Sequence, residues 1–146
     1  MKKTKVVCIG EALIDRIRNK SNHGSTDFLG GAPANVASAL RKLKIDSIFI
    51  GSLGRDDFGK KIIEQFNELE VNLDFLQSNN DSSTRVVNVD RDQSGDRFFS
   101  GFEPSVHPCF ADEALSMKLI EKEILNLEKC FLRTQYLVTG TNVLSS

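Results

Sequence analysis

Residues 30–37 read Gly-Gly-Ala-Pro-Ala-Asn-Val-Ala, and this stretch decides the fold of the chain. Its two glycines permit backbone angles closed to other residues and let a ligand approach the main chain. Pro33 suits the first turn of a helix, and apolar residues then recur at helical spacing, at Val36, Ala37, Leu40 and Leu43. The stretch therefore predicts a glycine loop that enters a helix N-terminus, whose free N–H groups favour oxygen-rich or anionic ligands.

Asn35 lies in the first turn of the predicted helix, where its amide can donate to one hydroxyl and accept from another. That pairing suits a polyol ligand. A structural alternative exists for each feature, because paired glycines often form only a tight connection and an asparagine near a helix start is often only a cap. The local pattern by itself favours the structural alternative, so the surrounding sequence has to decide.

Short apolar runs that end in glycine occur three times along the chain. They are residues 5–9 before Gly10, residues 46–50 before Gly51, and residues 136–139 before Gly140. Such runs predict strands buried on both faces of a parallel sheet, and the order strand, helix, strand predicts a right-handed βαβ unit. Ligands of open α/β sheets bind beyond the carboxyl ends of the strands.

Asp15 is the first acid after the opening run and is placed to reach such a crevice. A carboxylate can accept charge-assisted hydrogen bonds from two neighbouring hydroxyls. A solvated turn residue is an equally favoured interpretation of Asp15 before other motifs are considered.

Further elements follow from turn residues and periodicity. Residues 16–29 predict two short strands around a turn at 22–24, and Asp56 or Asp57 predicts the N-cap of a second helix with an apolar stripe. Residues 78–83 predict a loop, residues 84–102 a hairpin that turns at 92–95, residues 103–110 a linker, and residues 111–129 a helix. His23 and His107, which have no acidic or cysteine partner at a useful spacing, are expected to be structural.

Side chains of the predicted hairpin leave the function open. Arg85 is expected to solvate a sheet face, whereas Arg97 points either toward a ligand crevice or toward solvent. The aromatic residues of the return strand, Phe98, Phe99 and Phe102, are expected to pack rather than to take part in chemistry.

Composition narrows the class of protein. The chain of 146 residues has the size of one domain, and its net charge of −1 lacks the basic excess of a nucleic-acid footprint. No apolar run is long enough for a membrane span, and no secretory apolar region follows Met1. Cys8, Cys109 and Cys130 form neither a metal spacing nor a disulfide framework, so we expect a reducing cytoplasm.

Three segments occur together in order. They are Gly10-Glu11-Ala12-Leu13-Ile14-Asp15, residues 30–37, and Gly51-Ser52-Leu53-Gly54-Arg55-Asp56-Asp57-Phe58-Gly59. The set resembles the N-terminal half of the ribokinase-like (PfkB-type) carbohydrate kinases, and fructokinases in particular. The resemblance implies an α/β, Rossmann-like ribokinase fold, with a partial parallel sheet, flanking helices and a small β lid. Residues 1–146 would form the N-terminal part of the kinase domain, with lid segments at about 15–29 and 72–102.

The resemblance also implies roles for single residues. The positions of Asp15 and Asn35 hydrogen-bond sugar hydroxyls in the family, the backbone at Gly30 and Gly31 lies against the sugar, and we add Arg97 to this substrate-binding set. Leu13 stands where ribokinases usually carry asparagine, so a fructose-like sugar is expected rather than ribose. Lids of this kind often pair, which leads us to expect a homodimer through the lid or association through an exposed sheet edge.

The second family signature, a Gly-Ala-Gly-Asp loop that supplies the catalytic base and anion hole, does not occur in this sequence. The family implies ATP and Mg²⁺, but no residues for them, no catalytic residue and no metal ligand are expected in this chain. We therefore expect a fructokinase-like kinase by family, truncated and inactive by itself. The alternatives are a non-catalytic sugar-binding or partner-requiring half-protein, and a decayed reading frame.

Overall fold

The computed structural model describes residues 6–18, 24–92, 94–105, 109–122 and 134–140. Within these residues the elements follow in the order β1 (Val6–Ile9), β2 (Leu13–Arg18), β3 (Ser25–Gly30), α1 (Ala32–Lys42), β4 (Ser47–Ile50), β5 (Ser52–Gly54), α2 (Asp57–Glu68), β6 (Gln77–Asn79), β7 (Val86–Arg91), β8 (Arg97–Glu103), α3 (Met117–Lys122) and β9 (Tyr136–Thr139). None of the helices in the described ranges is long and apolar enough to cross a membrane.

The body of the protein is a parallel sheet in the order β4-β1-β9. These are the three apolar runs that end in glycine, so the prediction of parallel strands is confirmed. Val7 of the central strand β1 is fully buried, because a parallel strand in the middle of an α/β protein is covered on both faces. Phe49 of the outer strand β4 is fully buried as well.

The two longer helices pack against this body through most of the predicted apolar positions. The prediction is wrong for Leu43, which is the C-cap residue of α1 and is 70% exposed. Helix α1 begins after Gly31 and carries Pro33 in its first turn, as the glycine loop predicts. Helix α2 has Asp56 as its N-cap, and its inward residue Phe66 stacks at 5.0 Å between ring centroids on Phe49 of the sheet. The aromatic pair joins helix and sheet in one core.

A second sheet of four strands, in the order β3-β2-β7-β8, stands beside the body. Its register places Asp15 opposite Phe28 and Val87, and Val87 opposite Phe102, so these four side chains share one face. The neighbouring residue Ile14 belongs to the other face and is buried in the core of the body. One face of the sheet is therefore packed and the other, which carries Asp15, is open; we call it the Asp15 face.

The structure corrects two of the predicted elements. Residues 77–79 form β6 and pair with β5, so they are not part of a loop and do not join the four-stranded sheet. The predicted helix at 111–129 is wrong at its start, because residues 111–114 form turns and α3 begins at Met117. Gln77 explains this late start, since its side chain bonds both the N–H and the carbonyl of Ser116. His23, His107 and residues 123–129 lie outside the described ranges.

Candidate functional site

The Asp15 carboxylate lies in β2, half-buried against the first glycine of the loop. A Cβ atom on Gly30 would stand only 2.6 Å from Asp15 Oδ2, so a larger residue would force the Asp15 side chain to shift. The alternative interpretation of Asp15 as a solvated turn residue is wrong. Burial raises the pKa of the Asp15 carboxyl, and the positive charge of Arg97 works against that shift.

Gly31 brings the loop against the body of the protein. Its φ of 95° is closed to most residues, and a Cβ there would lie 2.4 Å from the carbonyl oxygen of Glu11. The Gly31 carbonyl accepts the backbone N–H of Asn35 at 2.9 Å, which fixes the first turn of α1. The two glycines thus hold the helix N-terminus beside β2.

Asn35 keeps its side chain exposed in this first turn. The N-cap of α1 is Gly31 and no side chain caps the helix, so the interpretation of Asn35 as a cap is wrong. Asp15 lies against Gly30, and the carbonyl of Gly31 receives the Asn35 N–H. The cavity that Asp15 lines, described next, is not lined by Asn35 or by the two glycines.

A cavity of about 170 Å³ opens on the Asp15 face. It is lined by Asp15, Ile17, Val89, Arg97, Phe98 and Phe99. Arg97, which the sequence left undecided, therefore shares a cavity with Asp15. The cavity combines a hydrogen-bond acceptor, a donor and aromatic faces, and that combination suits a hydroxylated ligand that also presents C–H surface.

The aromatic side chains of β8 were misjudged from sequence. Phe98, Phe99 and Phe102 were expected to pack, but they are exposed, and Phe99 keeps 77% of its surface in contact with solvent. No local pattern distinguishes them from core residues. Exposed aromatic side chains of this size are typical of surfaces that bind a ligand or a partner.

The packed face of the four-stranded sheet is anchored by Arg16. Its guanidinium donates to both oxygens of Asp27 at 2.8 and 3.1 Å and to Glu103 Oε2 at 2.6 Å, and it stacks 5.2 Å from the ring of Phe58. The hydrogen bond from Arg16 lowers the pKa of the Asp27 carboxyl. Three strands and helix α2 meet at this one side chain, which sets the sheet at a fixed place on the body.

Arg85 was expected to face solvent, and this prediction is wrong. Its side chain is 7% exposed and pairs with Asp112 and Glu113. The acids come from the stretch that was predicted to be helical, and nothing in the spacing of the sequence indicates that the pair forms.

In the glycine-rich segment at 54–60, the Gly54 N–H donates to Thr84 Oγ1 at 3.1 Å and the Lys60 N–H donates to the Asp56 carbonyl at 3.0 Å. Asp56 Oδ1 accepts the N–H of Gly59 at 2.8 Å, and Oδ2 accepts the N–H of Thr84 at 2.7 Å. A carboxylate thus takes the place that a phosphate would need. Within the described ranges there is also no group of three or more His, Cys, Asp or Glu residues that could hold a metal ion.

Comparison with known proteins gives a consistent result. Residues 3–136 match the pfkB family of carbohydrate kinases. The chain is 35% identical over 124 residues to probable fructokinase-5 of Arabidopsis thaliana. The matched region covers 80% of this chain and 38% of that protein.

Solved structures show the same likeness. The fructokinase of Xylella fastidiosa with bound ATP is 33% identical, with a TM-score of 0.70 over 80% of this chain and 34% of its own. The fructokinase of Halothermothrix orenii is 25% identical, with a TM-score of 0.73 over 97% of this chain and 48% of its own. The chain therefore spans between a third and a half of the length of these relatives.

Proposed function

The chain belongs to the pfkB family of carbohydrate kinases, where it is fructokinase-like, and from this we propose that it recognises the sugar in an ATP-dependent sugar kinase. The proposed site consists of Asp15, Gly30, Gly31, Asn35 and Arg97. The observation that carries the proposal is the cavity on the Asp15 face, where a carboxylate seated on Gly30 and a guanidinium stand among aromatic side chains.

Each residue has a role that its chemistry allows. The Asp15 carboxylate accepts hydrogen bonds from two adjacent hydroxyls, and Arg97 donates to a third oxygen. Gly30 and Gly31 let the sugar lie against the main chain at the start of α1, where Asn35 donates and accepts. The opposite charges of Asp15 and Arg97 balance, so a neutral, fructose-like sugar fits this proposal better than a sugar acid.

The described residues contribute recognition, and the transfer step is assigned elsewhere. Among the described residues, none is assigned as a base. ATP, and Mg²⁺ with it, enter the proposal only through the family. We expect the 146 residues alone to show no turnover with fructose and ATP, and turnover in a coupled assay would contradict this.

We also propose that the four-stranded sheet acts as a lid and that two copies pair through it. Phe28, Phe99 and Phe102 leave an apolar surface on or beside the Asp15 face, and such surfaces favour association. The proposal places the protein in the cytoplasm, where the free thiols of Cys8 and Cys109 would stay reduced. Burial raises the pKa of the Cys8 thiol to about 11, which keeps it protonated and unreactive.

A second candidate function is a half-protein that requires a partner chain. The observation that favours it is the edge strand β9, which pairs only with β1 among the described strands. Its residues Tyr136 and Leu137 are more than half exposed, and an open edge is a template for a further strand. If the chain associates through this edge, with a copy or with another polypeptide, the association should survive substitution of Phe28, Phe99 and Phe102. Pairing through the lid should not survive these substitutions.

The experiment that tests the proposed function is titration calorimetry of the chain with fructose. Substitutions Asp15→Asn and Asn35→Ala are each expected to weaken binding about tenfold or more, because each removes hydrogen bonds to the sugar. Asp57→Asn is the matched control, since that carboxylate is 97% exposed at the start of α2. No binding of fructose at millimolar concentration, or equal losses in all three variants, would refute the proposal.

A further inference from the structure

The buried cluster around Arg85 lies at the foot of the four-stranded sheet and is not part of the sugar site. The Arg85 guanidinium donates from Nε to Asp112 at 3.1 and 3.2 Å and from Nη2 at 3.0 Å, and Nη2 also bonds Glu113. Its Cζ atom lies 4.4 Å from the ring centroid of Phe110 and 5.3 Å from that of Phe102, and the two rings contact each other at 6.1 Å between centroids. Both ionic partners and both rings come from segments far from Arg85 in the sequence.

These contacts join the hairpin β7–β8 to the turn at 110–114. Phe102 belongs to β8, whereas Phe110 is held to the segment before β7 by the bond from Ala111 N to Ser83 O at 2.9 Å. The carbonyl of Arg85 accepts the N–H of Ile14 at 3.0 Å, so the same residue also ties the hairpin to β2. Arg85 therefore stands where three segments meet.

The cluster is linked to the sugar cavity through the register of the sheet. Phe102 pairs with Val87, and Val87 pairs with Asp15, so the ring that stacks on Arg85 shares a cross-strand row with the proposed sugar ligand. The other end of β8 carries Arg97 and Phe99, which close the cavity. A tilt of the hairpin about its foot would move these residues relative to Asp15.

We propose that Arg85, held by Asp112 and in contact with the rings of Phe102 and Phe110, is a positioning residue that sets how the β7–β8 hairpin stands over Asp15. This inference rests on the proposed function for its connection with sugar binding. The planar guanidinium is suited to the task, since it bonds a carboxylate with a fixed fork and stacks on aromatic rings at the same time. Lysine would preserve the charge but not this geometry.

The test uses amide hydrogen exchange and fructose titration of the 146-residue chain. Arg85→Met alone would leave the buried Asp112 carboxylate unpaired and would destabilise the whole fold. The decisive variant is therefore Arg85→Met/Asp112→Leu, because well-packed apolar replacements of a buried ion pair usually preserve stability. Arg41→Met/Asp46→Leu is the control: the Arg41 side chain is 10% exposed and pairs at 2.6 Å with Asp46, which is 25% exposed, but this pair joins helix α1 to the body.

In the Arg85 double variant we expect exchange of the β8 amides to accelerate about tenfold while β1 and β4 keep their protection. Fructose affinity should fall by about the same factor, and the Arg41 double variant should change neither. Arg85→Lys should behave like the double variant in its β8 amides.

Unchanged exchange in β8, or an equal acceleration in β1 and β8, would overturn the inference. A wild-type chain that binds no fructose would instead refute the proposed function, while the exchange pattern would still decide on the positioning role of Arg85.

Discussion

Replacement of Gly31 by alanine adds a single Cβ atom and tests how closely the glycine loop packs against the body. Two costs add at this position. A Cβ at φ 95° costs about 1–2 kcal/mol of backbone strain. The same atom would lie 2.4 Å from the Glu11 carbonyl oxygen, about 1 Å closer than the 3.4 Å of ordinary contact. Overpacking of this kind costs about 1–3 kcal/mol, because the obstacle is backbone and cannot rotate away.

Gly95→Ala is a matched control, since Gly95 also has a positive φ, of 89°, but a Cβ there would have no atom within 4 Å. It should cost only the strain, about 1–2 kcal/mol. Urea unfolding of the two variants, analysed by linear extrapolation with equal slopes, measures the difference. We expect Gly31→Ala to be less stable than Gly95→Ala by about 1–3 kcal/mol.

A second readout separates stability from function. Folded Gly31→Ala protein should also fail to bind fructose, because relief of the clash moves the loop away from Asp15. If Gly31→Ala loses no more free energy of unfolding than Gly95→Ala, the close approach of the loop to the Glu11 backbone does not contribute to stability as we expect.

Three further predictions concern charged side chains. Asp56→Ala should lower the free energy of unfolding by about 2 kcal/mol, because two backbone N–H groups lose their acceptor, whereas Asp57→Ala should change it by less than about 0.5 kcal/mol; thermal unfolding compares them. Fructose affinity should fall as the pH drops through the raised pKa of Asp15. In Arg97→Met this fall should begin at a higher pH, because the cation that opposes the rise of the pKa is gone. Calorimetry at several pH values measures the midpoint of the fall, and identical midpoints in wild type and variant would contradict the prediction. Asp27 has its pKa lowered from 3.8, so its contribution to stability is complete above that value and is lost as the pH falls through the lower, folded pKa; acid unfolding curves of wild type and Asp27→Asn should therefore converge at the lowest pH.

The elements that sequence predicts well are those whose pattern is local. The apolar runs before Gly10, Gly51 and Gly140 form the parallel sheet, and the stripe that begins at Val36 forms α1, because burial of one face or of both dictates these periodicities. Asp56 was predicted as a possible N-cap from residue type alone, and it is one.

The failures arise where tertiary contacts override local preference. Arg85 was expected in solvent because arginine usually is, but two acids and two rings from distant segments bury it. Residues 111–116 have a helical pattern, yet Asp112 is used by Arg85 and Ser116 by Gln77, so the helix starts later. Phe99 was expected to pack because no local pattern distinguishes an aromatic residue on an open sheet face from one in a core.

The paired glycines explain why recognition and lid position are set together. Gly30 is restricted by the Asp15 carboxylate of the four-stranded sheet, whereas Gly31 is restricted by the Glu11 backbone that follows β1 of the body. A single loop thus touches both sheets within two residues, and the α1 N-terminus follows at once. Because Gly30 is the last residue of β3, its contact with Asp15 lies within the four-stranded sheet, and Gly31 is the residue that holds the end of β3 against the body. The β2–β3 side of the sheet is thus fixed at Gly31, so a motion that opens the cavity is expected to involve the β7–β8 hairpin and its foot at Arg85.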